Sequence, residues 1–212
     1  MIIFFDIETV ALSTEEKSLT DQEIKDTIEK YGEGLNFMPE YNKILTITVW
    51  VKTTEGNKIE NLPGSEKEQI EKFFEIVEKD YKVKRDGKEV QIMPKFCWHN
   101  IINFDFPFIV KRAMSHGIRI PDRLKAYGKK PWEMEHFIDL YNVYKYLSFS
   151  GKGSLDLICN FLDIPTPKQG IDGSEVQAYH DQGKDKEILE YCKRDVEATI
   201  NVYDKFVELN LI

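Results

Sequence analysis

Four carboxylates and one phenol stand out in this chain by type and spacing. Asp6 and Glu8 are one residue apart at the end of the apolar run Ile2-Ile3-Phe4-Phe5. In an extended strand, residues two apart point to the same side, so both carboxylates emerge together, about 6–7 Å apart. Two such anions repel unless a cation sits between them. Asp105 closes the run Asn100-Ile101-Ile102-Asn103-Phe104-Asp105, where a strand gives way to a helix. Tyr191 and Asp195 are four residues apart in a long amphipathic segment, which sets phenol and carboxylate side by side on one helix face. Each pattern also has an ordinary explanation. Asp6 and Glu8 could be a solvated strand end, and Asp105 could follow an Asn103 N-cap, favoured by the helix dipole. Asp195 could pair with Lys186, Lys193 or Arg194. Taken together, the three segments offer hard oxygen donors of the kind magnesium and manganese take, and no soft ligand is expected among them.

The elements that must position these groups follow from hydrophobic periodicity. Residues 2–6 read as a buried strand. An acidic insertion follows at about 11–42. Within it Thr20-Asp21-Gln22-Glu23 forms a capping box, Ile24, Ile28 and Tyr31 share a helical face, and Gly32 supplies a stop. Residues 43–52 read as a strand, Gly56-Asn57 as a turn and residues 58–61 as a short strand. Ser65 with Glu68 caps a helix whose Ile70, Phe73, Phe74 and Val77 recur at helical spacing. Asp86-Gly87 marks a turn, 95–99 a strand and 104–116 a helix that tolerates Pro107 in its first turn. Residues 117–135 read as loop, 137–140 as a short strand, 141–147 and 154–162 as helices, and 164–173 as loop. One long helix spans about 184–209, with Ile188, Leu189, Cys192, Val196, Ile200, Tyr203 and Val207 on its apolar side. The pattern is that of an α/β layered fold, a single domain over 1–212.

Composition narrows the class. The formal charge is −8, which argues against coating nucleic acid by bulk basicity. The acidity is local: residues 1–40 carry ten acids against three lysines. Basic residues gather instead at 117–131, where Arg119, Arg123, Lys125, Lys129 and Lys130 lie near Tyr127 and Trp132. Such interleaving can guide a single nucleic-acid strand, or it can be a solvated loop. Cys97, Cys159 and Cys192 stand far apart, as expected of reduced buried thiols in a cytoplasmic protein. No apolar stretch is long enough to cross a bilayer, and the start lacks a basic signal-peptide region.

The three segments, in this order, resemble the motifs of the DEDD superfamily of 3′–5′ exonucleases, which have a ribonuclease H-like fold. FFDIET looks like the first motif and WHNIINFDFPFIVKRA like the second. YCKRDVEATINVY looks like the third, of the tyrosine subtype, because Tyr191 stands four before Asp195. The similarity is greatest to the proofreading exonuclease domain of family B DNA polymerases. It extends through IDLYNVYKYLSFSGKGSLDLICNFLDI, while the acidic insertion has no counterpart. The polymerase domains that would follow are not in this sequence, so a freestanding exonuclease domain is expected.

The resemblance implies a mixed β-sheet flanked by helices and two divalent ions, Mg²⁺ or Mn²⁺, held by Asp6, Glu8, Asp105 and Asp195. It implies that Asp6 bridges both ions, that Glu8 and Asp195 complete the site activating water, and that Asp105 supports the second ion. Tyr191 would orient the attacking water or the scissile phosphate. Thr9 would approach the terminal sugar, Asn100 would hydrogen-bond the strand, and Phe104 would stack on or wedge against a base, or else serve as a core aromatic. The implied substrate is single-stranded DNA or a frayed 3′ end, with release of 5′-mononucleotides. A polymerase or another replication or repair protein is an expected partner in trans. Two alternatives stay open: an exoribonuclease, and a nuclease-like domain that binds nucleic acid or a replication partner without cleaving.

Overall fold

A computed structural model describes residues 1–13, 16, 21–53, 56–125, 128–130, 133–134, 136–146, 153–168 and 170–212. Its centre is a mixed sheet. β1 (Ile2–Ala11) pairs antiparallel with β2 (Asn42–Thr53), which pairs antiparallel with β3 (Gly56–Asn61). On its other side β1 runs parallel to β6 (Lys95–Trp98), which runs parallel to β7 (Phe137–Asp139). The five strands lie in the order β3-β2-β1-β6-β7, and β4 (Tyr81–Arg85) with β5 (Lys88–Ile92) forms a separate hairpin around Asp86-Gly87.

β1 is buried on both faces, as the central strand of a covered sheet must be. Helix α2 (Glu66–Glu78) covers one face, where Phe73 packs 4.8 Å from Phe5. Ser65 and Glu68 form the reciprocal cap expected from their spacing. Helix α7 (Asp185–Glu208) covers the other face, where Tyr203 stands edge-on to Phe4 at 5.3 Å. Around these lie α1 (Asp21–Tyr31), α3 (Asp105–Ser115), α4 (Leu140–Lys145), α5 (Leu155–Phe161) and α6 (Val176–Asp181). The architecture is α/β, a mixed sheet flanked by helices around one main core, consistent with the ribonuclease H-like expectation. Among the described residues no helix is long and apolar enough to cross a membrane.

Several local expectations are corrected. Gly56 and Asn57 already belong to β3. The buried stripe of α7 continues through Ala198, Val202 and Phe206, and Val207 is exposed, because 3.6-residue periodicity rotates the stripe along a 24-residue helix. Residues 21–31 are helical as expected, and the Ile28 and Tyr31 side chains on it are exposed. The Thr20 cap of that helix falls outside the described residues, as do Tyr127 and Trp132. Just beyond the Pro/Gly loop a 3₁₀ turn, Gly173–Glu175, is capped by Asp172, whose side chain accepts from the Ser174 amide, and it leads into α6.

Candidate active site

Asp6 and Glu8 lie within β1 rather than at its end, and both are buried. The strand outlasts its apolar run because β2 stays paired with it to Ala11, with a register slip between Glu8 and Thr9. Opposite them on β2 stand Thr48 and Thr46, two small buried residues that leave room above the sheet. Directly paired residues of antiparallel strands share a face, so this space opens towards α7.

Helix α7 supplies Tyr191 and Asp195, both buried and one turn apart. Their side chains are hydrogen-bonded to each other. Between them in sequence Cys192 donates its thiol to Asp6 Oδ2 at 3.1 Å. One ligand atom each from Asp6, Glu8 and Cys192 lies within 4.8 Å of the others. The expectation that no soft atom lies in these segments is therefore corrected: a sulfur borders the carboxylates.

Asp105 enters from the first position of α3 and is only 1% exposed. Neither of its carboxylate oxygens makes a well-formed hydrogen bond, and the nearest donors are the backbone amides of Asp105 itself and of Ile7. The expected Asn103 cap is absent. The cap position is Phe104, and the Asn103 side chain donates instead to Asn100 Oδ1 at 2.9 Å. Asn100 adopts a left-handed conformation, φ 65°, which asparagine tolerates better than most residues.

The electrostatics follow from this convergence. Burial, and then the charges of Glu8, Asp195 and Asp105, hold the Asp6 carboxyl well above its ordinary range. Burial with Asp195 and Asp105 does the same to Glu8. Asp105 is raised by burial and by the neighbouring Asp139 and Asp195, with the backbone amides of Asp105 and Ile7 opposing. Asp195 is pushed up to about 7 by burial, with the Tyr191 hydroxyl and the charge of Arg194 opposing. The Tyr191 phenol is raised by burial and by the surrounding carboxylates, so it stays protonated and acts as a donor. Clustered, desolvated carboxylates that repel one another are what a hard divalent cation would relieve. Asp6, Glu8, Asp105 and Asp195 could hold one, and of these Asp6 and Glu8 have ligand atoms within 4.8 Å of each other.

The sequence reading missed Asp139. This buried carboxylate at the end of β7 accepts from the amides of Asn100 and Tyr141 at 3.0 Å, and from those of Ile102 and Asn142 at 3.4 Å. It caps α4 and ties down the loop that delivers Asp105. The spacing of Asp139 to Tyr141 and Asn142 is a recognisable N-cap, but its reach to Asn100 depends on β6–β7 pairing. The basic segment is only partly open to a substrate. Arg123 donates to the carbonyls of Val77 and Lys79 and pairs with Asp80, while Arg119 and Lys125 pair with Asp122. Thr9 follows Glu8 in β1, past the register slip, and is half-buried, and Phe104 is half-buried against the core.

A domain of this fold, with these acids at the sheet centre, is of the exonuclease-like nuclease class. The chain belongs to a family described as predicted 3′–5′ exonucleases related to the exonuclease domain of PolB, whose model matches residues 36–210. The matched stretch contains Asp105, Tyr191 and Asp195 and begins after Asp6 and Glu8, which the fold brings to the same place. The chain is also 27% identical over 136 residues to an uncharacterized protein of Methanocaldococcus jannaschii, across 60% of this chain and 72% of that protein.

Proposed function

We propose that this chain is a two-metal-ion 3′–5′ exonuclease that hydrolyses DNA from the 3′ end and releases 5′-mononucleotides. The observation that carries the reading is Asp105: a buried carboxylate with no well-formed hydrogen bond, its nearest donors being its own amide and that of Ile7, and facing three other acids. Such an acid is costly to bury unless a cation completes it. Magnesium or manganese suits the set. Such ions would stabilise charge on the non-bridging oxygens, help form the nucleophile from water and neutralise the leaving alkoxide. Asp6 would serve both ions, Glu8 and Asp195 the one beside the attacking water, and Asp105 the second.

The remaining work falls to residues of the chain. Tyr191 keeps its proton and is hydrogen-bonded to Asp195, so it orients the water or the phosphate and does not serve as a base. Thr9 borders the terminal sugar, and Asn100 and Phe104 line the approach of the strand. The substrate is a single strand or a frayed 3′ end, because a base pair must open before its terminal phosphodiester reaches buried acids. A polymerase or repair protein acting in trans is the proposed partner.

The test is a 3′-labelled oligonucleotide incubated with and without Mg²⁺, as DNA and RNA in parallel. Metal-dependent release of labelled mononucleotide from DNA supports the reading. Faster release from RNA makes the chain an exoribonuclease. Binding without release makes it a silent nuclease-like domain.

A further inference from the structure

The acidic insertion ends in a 3₁₀ turn, Gly32–Phe37, whose last residue leaves its ring 66% exposed. That ring is not adrift. Phe37 stands edge-on to Phe104, 5.8 Å between centroids and 81° between planes. Phe104 in turn packs 5.6 Å from Phe108, which is buried in the core. The three rings form a track from solvent to core, and the middle ring belongs to the residue immediately before Asp105.

The turn that carries Phe37 is anchored on several sides. The Asn42 side chain donates to the carbonyls of Leu35 and Met38. The Pro39 carbonyl accepts from Arg112, whose guanidinium is held by both oxygens of the half-buried Glu66 at 2.8 and 2.7 Å. Lys111 of α3 reaches Glu40 at 3.2 Å. The insertion is thus fastened to the helix that delivers Asp105. A rigidly mounted, exposed aromatic ring beside a catalytic acid is the arrangement on which an unpaired base stacks, since every base offers a π-face.

Resting on the exonuclease reading, we propose that Phe37 is a substrate-binding residue. Its exposed ring takes up one base of the single strand whose 3′ end lies at the carboxylates, with Phe104 as its backing.

The test is steady-state kinetics in Mg²⁺ on single-stranded oligonucleotides, intact or with one abasic site at the first to fourth nucleotide from the 3′ end. Phe37→Ala is expected to raise KM about tenfold with little change in kcat, and Phe37→Trp to restore it. An abasic site at one position should raise the parent's KM but not that of Phe37→Ala, because both remove the same contact. A KM within twofold of the parent, or additive effects at every abasic position, would overturn the proposal while leaving the exonuclease reading intact. If the parent releases no nucleotide, that reading fails, and fluorescence anisotropy with the same oligonucleotides decides the stacking separately. Tenfold weaker binding by Phe37→Ala would support it, and equal binding would end it.

Discussion

The Sγ of Cys192 lies 3.1 Å from Oδ2 of Asp6, so the helix that carries Tyr191 and Asp195 also donates a thiol into the carboxylate cluster. Burial, then the charges of Asp6 and Glu8, push this thiol well above its ordinary range. Cys97 and Cys159 are also buried, and their thiols are raised as well. All three should therefore resist alkylation at pH 8 in the native protein and react fully once it is denatured. Mass spectrometry after brief iodoacetamide treatment reads this, and rapid native labelling of Cys192 would contradict its placement.

The carboxylate cluster predicts an unusual pH dependence for the metal-free protein. Asp6, Glu8, Asp105 and Asp195 have raised pKa values in the folded state, so folding favours their protonated forms. Their contribution to stability is present below the ordinary carboxylate range and is lost as pH rises, for Asp195 through about 7. Without metal, Tm should fall between pH 5 and pH 8, and Mg²⁺ should flatten the trend by binding only the folded state. Asp6→Asn should be at least as stable as the parent at pH 8 without metal, by about 1 kcal/mol or roughly 2–4 °C. A lower metal-free Tm for this variant would mean that the acids do not repel.

Tyr191 and Asp195 share a helix face but differ in task. Tyr191→Phe keeps the packed ring and removes one hydroxyl, so kcat should fall well over tenfold, within the roughly 10²- to 10⁴-fold range typical of proton-positioning groups. KM and metal affinity should hardly change. Asp195→Asn should weaken metal binding and nearly abolish turnover. Titrating Mn²⁺ against both variants while following cleavage separates the two, and a fully active Tyr191→Phe would make the phenol a core aromatic only.

Asp139, next to the carboxylate cluster but bonded to backbone amides, predicts a stability effect. Asp139→Ala strands four backbone amides that now share one carboxylate, at about 1–3 kcal/mol for each buried donor left unpaired. The loss should be about 3 kcal/mol or more, a drop in Tm of roughly 6–12 °C. Thermal melting checks it, and a drop under 2 °C would show that water replaces the carboxylate without loss.

Much of this site could be read along the chain because its geometry is local. Strand alternation places Asp6 with Glu8, helical spacing places Tyr191 with Asp195, and Ser65 with Glu68 caps its helix as written. What stayed hidden depends on contacts between distant segments. Cys192 meets Asp6 only because α7 lies across β1, 186 residues away in sequence. Asp139 reaches Asn100 only because β7 pairs with β6. Arg123 looked available to phosphate until the fold set it against the end of α2. The strands of the β4–β5 hairpin alternate over only a few residues, Tyr81-Lys82-Val83 and Val90-Gln91-Ile92, too short a signal among so many charges, so only their Asp86-Gly87 turn was read.

The direction of cleavage tests the central claim most directly. A 5′-labelled linear single strand and a circular single strand of the same sequence are incubated with the protein in Mg²⁺. The linear strand should shorten one nucleotide at a time from its 3′ end, the circle should stay intact, and EDTA or Asp6→Asn should stop the reaction. Cutting of the circle, shortening from the 5′ end, or undiminished cleavage by Asp6→Asn would contradict a 3′–5′ exonuclease built on these four carboxylates.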